Sequence, residues 1–186
     1  EEGRVLVLFG APDLGQSGEI RTDSLLSGEG GFVIRGVNPD DQTGQGGADL
    51  GDLNGDGRLD IVFGAPWASQ NGTNSGRVYV VLGGESVGED GLVLLDNLSP
   101  PDGFIIEGPD EFTTLGLETE VDGDINSDGV DDLVMAGDNR LYIVFGSTDI
   151  VPESGFFDLL SIDGTNGFIF EDPVLDNDLS VEYVGD

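Results

Sequence analysis

Short apolar runs punctuated by glycine, asparagine, aspartate and proline recur along this chain, and several are near-copies of one another. Gly3-Arg4-Val5-Leu6-Val7-Leu8-Phe9-Gly10 returns as Gly76-Arg77-Val78-Tyr79-Val80-Val81-Leu82-Gly83, and again as Asn139-Arg140-Leu141-Tyr142-Ile143-Val144-Phe145-Gly146. Gly31-Phe32-Val33-Ile34 returns as Gly103-Phe104-Ile105-Ile106 and as Gly167-Phe168-Ile169-Phe170. These runs have strand length, favour β-branched and aromatic residues, and end at turn formers, which is the pattern of β-strands. Val78 to Leu82 and Leu141 to Phe145 are apolar at every position, as inner strands between stacked sheets must be. Helical periodicity is nearly absent. Only Asp23-Ser24-Leu25-Leu26 and Asp158-Leu159-Leu160 read as single helical turns.

A third repeated element lies between such runs. Asp52-Leu53-Asn54-Gly55-Asp56-Gly57-Arg58-Leu59-Asp60 is echoed by Asp124-Ile125-Asn126-Ser127-Asp128-Gly129-Val130-Asp131-Asp132. Taken in order, each repeat holds strand A, an Asp-rich loop, strand B, strand C (the Arg-Val-Tyr-Val run) and strand D (the Gly-Phe-Ile run). Four strands in a period of roughly 60–75 residues is the size of a propeller blade with generous loops. The expected fold is all-β, with blades of four antiparallel strands in an incomplete propeller or open blade array. Residues 1–47 form a half blade (strands C and D), 48–119 a first full blade, 120–179 a second, and 180–186 strand A of a further one. Phe32, Phe104 and Phe168 are expected at one equivalent position, packed between sheets.

Charge narrows the function. Acidic residues number 38 against 6 basic ones, all arginine, for a formal net charge of −32. Such a chain lacks the cations that offset phosphate, so nucleic acid and anionic membrane are not expected partners. The absence of Cys and His removes disulfides, thiolate chemistry, zinc fingers and imidazole acid–base catalysis. Nothing marks a catalytic pair, and no enzyme activity is expected. No stretch approaches the ~20 apolar residues that a membrane-spanning helix needs. The chain opens at Glu1 without a Met or a signal peptide, which reads as a processed or truncated product.

The Asp-rich loops are the candidate chemistry. Their pattern sets oxygen-bearing side chains at alternate positions, with glycine at the sixth, where the chain must turn sharply. A hard cation such as Ca²⁺, which takes 6–8 oxygens, fits this set. The first loop offers Asp52, Asn54, Asp56 and Asp60, with the backbone carbonyl of Arg58. The second offers Asp124, Asn126, Asp128 and Asp132, with the carbonyl of Val130. Two Ca²⁺ per chain are therefore expected. The competing reading is a pair of hydrated Asx turns. It must explain why three carboxylates crowd into nine residues, and why they do so twice. Asn71-Gly72-Thr73 and Asn97-Leu98-Ser99 are glycosylation sequons, the second made poorer by Pro100. Trp67 reads as a packing residue.

Phe63-Gly64-Ala65-Pro66 after the first loop, followed by Gly76-Arg77-Val78-Tyr79, resembles the FG-GAP repeat of integrin α-subunit propellers and their bacterial relatives. The second repeat departs from it, reading Met135-Ala136-Gly137-Asp138 at the Phe-Gly-Ala-Pro position. The resemblance implies a calcium-binding structural or adhesion protein, extracellular or at the cell surface, with a protein or glycan ligand. Propellers of that family have about seven blades, more than this chain holds. The missing strands come either from other copies joined head to tail, in a ring or filament, or from the rest of a longer propeller. The alternative reading is an accessory propeller fragment of a larger secreted hydrolase or adhesion receptor.

Overall fold

The computed structural model describes residues 2–16, 18–121 and 123–171. The further strand expected at 180–186 lies outside these. The described residues contain twelve strands, one short helix and two 3-10 turns, so the fold is all-β. Strand β1 (Arg4–Leu8) pairs antiparallel with β2 (Gly31–Arg35), giving the half blade its strands C and D. The first full blade follows as β3 (Ala48–Gly51), β4 (Asp60–Ala65), β5 (Arg77–Val81) and β7 (Gly103–Glu107). The second is β8 (Thr119–Glu120), β9 (Leu133–Gly137), β10 (Arg140–Val144) and β12 (Gly167–Glu171). Within each full blade the order A-B-C-D is antiparallel throughout.

Each D strand but the last carries one strand more than the sequence pattern suggested. Short β6 (Leu92–Leu94) belongs to the C–D connection of the first blade, yet it pairs in parallel with β2 of the half blade. In the same way β11 (Phe156–Phe157), from the C–D connection of the second blade, pairs in parallel with β7 of the first. Adjacent blades are thus latched through their backbones as well as packed. A 3-10 turn follows each latch, at Leu95–Asn97 and Leu159–Ser161, and buries Leu95 or Leu159. The helical turn at Thr22–Leu25 (α1) holds the corresponding place in the half blade and buries Leu25.

The three sheets stack through two apolar layers. Between half blade and first blade lie Phe32, Ile34, Phe63, Tyr79, Val81 and Ile105. Between first and second blade lie Val78, Val80, Phe104, Ile106, Met135 and Tyr142, among others. Strand alternation explains this division, because successive side chains point to opposite faces. Positions two and four of strands C and D face the following blade, and positions three and five face the preceding one.

The three phenylalanines do occupy one register: Phe32 opposes Val7, Phe104 opposes Val80 and Phe168 opposes Ile143. Phe32 and Phe104 are buried between sheets. Phe168 is 41% exposed, contrary to expectation, because its face belongs to the last described blade and, among the described residues, has nothing stacked on it. At the first position of strand C, Arg77 pairs with Glu107 and Arg140 with Glu171 across the strands. The half blade sets Arg4 opposite Arg35 instead.

Candidate metal-binding loops

Both Asp-rich loops connect strand A to strand B, and both are held by the same hydrogen bonds. In the first, the Asp56 amide donates to Asp52 Oδ1 at 3.0 Å and to Asn54 Oδ1 at 2.9 Å. The Gly57 amide donates to Asp52 Oδ2 at 2.8 Å, and the Arg58 amide to Asp56 Oδ1 at 2.9 Å. In the second loop the Asp128 amide donates to Asp124 Oδ1 and Asn126 Oδ1, both at 2.9 Å. The Gly129 amide reaches Asp124 Oδ2 at 2.7 Å, and the Val130 amide reaches Asp128 Oδ1 at 3.0 Å. Because Asp52 and Asn54 share one donor, their oxygens are drawn to the same side of the turn, and Asp124 with Asn126 repeat the arrangement. The sixth-position glycines, Gly57 at φ 84° and Gly129 at φ 93°, adopt the left-handed backbone that closes the curl.

The ninth-position carboxylates do something the spacing alone did not reveal. Asp60 is buried and accepts the Leu53 amide at 3.0 Å and the Gly83 amide, just past strand C, at 2.8 Å. Asp132 is likewise buried and accepts from Ile125, Asn126 and Gly146, the last being the counterpart of Gly83. Each ties the base of its loop to the end of strand C. Burial is the main force pushing the Asp60 carboxyl up to about 6, only partly offset by the two amides, with Asp56 and Asp52 adding repulsion. Asp132 is raised for the same leading reason.

The two loops also touch. The Asp52 amide donates to Asp131 Oδ2 at 2.8 Å, and the Ser147 amide donates to the Leu53 carbonyl at 3.0 Å. They therefore sit side by side along one rim of the blade stack. Oxygens are the sole donors in each set, which suits a hard cation. Asp52, Asn54 and Asp56 each have an oxygen already accepting one N–H, and an sp² oxygen keeps a second lone pair for an ion. Among the described residues, however, no three acidic side chains are gathered as a ready metal cluster. At position nine Asp60 and Asp132 accept backbone amides on both oxygens, as Asp52 and Asp124 do at position one. Arg58 lies against the first loop, 3.9 Å from Asp56 and 3.6 Å from Glu85, whereas Val130 brings no charge to the second.

The sequons fall in different settings. Asn71 donates its side-chain amide to Glu107 Oε2 and to the Gly108 carbonyl, which fastens the B–C loop to the end of strand D. Asn97 is exposed on its 3-10 turn. Trp67 is half-buried and donates its indole N–H to Gln45 at 2.9 Å.

Stacked four-stranded sheets with an acidic loop between the first two strands define a propeller-type blade array. The FG-GAP repeat model matches residues 46–81, a span running through strand A, the Asp-rich loop, strand B and strand C of the first blade. The chain thus carries an FG-GAP repeat. No curated protein matches it. The Phe-Gly of the repeat has a steric basis here. A Cβ on Gly64 would lie 1.7 Å from the Gly116 carbonyl oxygen, so only glycine lets strand B pass that close to the connection leading into the next blade.

Proposed function

We propose that this chain is a calcium-binding structural and adhesion module of the extracellular space or cell surface. In this reading, each A–B loop takes one Ca²⁺. The observation that carries it is the repetition of one loop twice over, in sequence pattern and in hydrogen bonding, at equivalent blade positions. Asp52, Asn54, Asp56 and the Arg58 carbonyl hold the first ion, and Asp124, Asn126, Asp128 and the Val130 carbonyl the second. Asp60 and Asp132 stand at the base of each site, where their charge is balanced once an ion is bound. The ions offset part of the repulsion within a chain of net charge −32 and stiffen the rim on which both loops lie.

The proposed module also stacks on further copies of itself. Leu6 and Leu8 are exposed on the outward face of the half blade, and Phe168 and Phe170 on the outward face of the second blade. These are the positions that meet at both internal junctions, so the two faces are complementary in kind. Calorimetric titration with Ca²⁺ tests the metal reading: two sites per chain support it, and no heat of binding overturns it. The mass of the particle in calcium tests the stacking.

A further inference from the structure

The pattern shared by the two parallel latches recurs in part in the half blade, where Ile20 and Leu25 keep two of its apolar positions while Glu19 and exposed Thr22 stand in place of Leu92 and Leu95. Gly91-Leu92-Val93 precedes buried Leu95, then Leu98, and reaches Gly103 of strand D. Gly155-Phe156-Phe157 precedes buried Leu159, then Ile162, and reaches Gly167. In the half blade Gly18-Glu19-Ile20-Arg21 precedes Thr22, then buried Leu25, and reaches Gly31 with one residue more. On this alignment Ile20 corresponds to Val93 and Phe157, which pack against the apolar layers. Here Ile20 is instead 41% exposed, and the segment belongs to no sheet. Arg21 already has extended backbone, at φ −96° and ψ 133°. The segment leads into Thr22 and Leu26, which line a groove of about 320 Å³ on the outward face with Leu6, Val33 and Arg35. Both latches in the chain likewise reach toward the blade before their own.

At the other end of the stack, β12 is a D strand without a latch: among the described residues nothing pairs with its outer edge. Resting on the head-to-tail reading above, we infer that Gly18–Arg21 is the latch strand of the half blade, and that it adds in parallel to β12 of a second copy of this chain. The register follows from the internal junctions, where Ile34 opposes Val93 and Ile106 opposes Phe157. It sets Phe170 against Ile20 and Glu171 against Arg21. The first contact buries two apolar side chains that are now exposed, and the second brings Arg21, now beside Asp23, to Glu171, now beside Arg140.

The test uses sedimentation of the whole chain in calcium, with Ile20→Asp beside it. Ile20 lies outside both apolar layers, so the variant should melt like the parent when dilute, while its association weakens at least tenfold. The chain has no cysteine, which allows a second reading by mixed oxidation of single-cysteine variants. Ile20→Cys with Phe170→Cys should give a covalent dimer, and Ile20→Cys with Phe168→Cys should not. Association that ignores Ile20→Asp, or a cross-link at the wrong register, overturns the latch and leaves stacking intact. A chain that stays monomeric at all concentrations overturns both.

Discussion

Asp56 and Asp128 are the residues at which metal binding and a plain turn diverge most. Both are exposed; Asp56 accepts only the Arg58 amide, and Asp128 the Val130 amide and the neighbouring Asn126 side-chain amide, so neither ties its loop to the rest of the apoprotein. Asp56→Ala should therefore change the melting temperature little in chelator, yet abolish one of two calcium sites, and Asp128→Ala should do the same for the other. Equal effects with and without calcium would return these loops to ordinary Asx turns. Asp60 makes a separate prediction about pH. Its folded value of about 6 lies above the ordinary 3.8, so between those values the folded chain holds a proton that the unfolded chain has released. Stability in chelator should then fall as pH rises from about 4 to about 6. Thermal melts across that window check this, and Asp60→Asn should flatten the slope.

For single strands, environment decides what a side chain contributes. Phe104 and Phe168 share a register, but Phe104 is wholly buried between two sheets while Phe168 lies on an open face. Phe104→Ala should cost about 3–5 kcal/mol. Phe168→Ala should cost less than half as much in the dilute chain, as chemical denaturation can measure. Strands C and D and the acidic loops were legible in the sequence because their letters repeat and the apolar runs are short and end at turn formers. The exposure of Phe168 was not, since a strand's pattern says which residues share a face and not what covers it. The parallel latches were hidden for another reason. Only two or three residues pair, and Leu92-Val93 or Phe156-Phe157 inside a long connection looks like any short apolar run. Asp60 and Asp132 looked like loop ligands alone, because the Gly83 and Gly146 amides they grip lie beyond strands B and C in the sequence.

Across the whole molecule, apolar stacking and acidic charge oppose each other. Two interior layers and two outward faces of the same character favour adding blade to blade, while the net charge of −32 drives copies apart. Calcium in the rim loops and salt in the medium both reduce that repulsion. Association should accordingly strengthen with ionic strength and more steeply with calcium, which light scattering at matched ionic strength can separate. Calcium binding is the centre of the proposed function, and its most direct test is a thermal melt of the intact chain with excess calcium against the same melt in excess chelator. Two ions binding only the folded state should each add about 2.7 kcal/mol at a hundredfold excess over Kd, raising the melting temperature by roughly 10–20 degrees. An identical melting temperature in calcium and in chelator would contradict it.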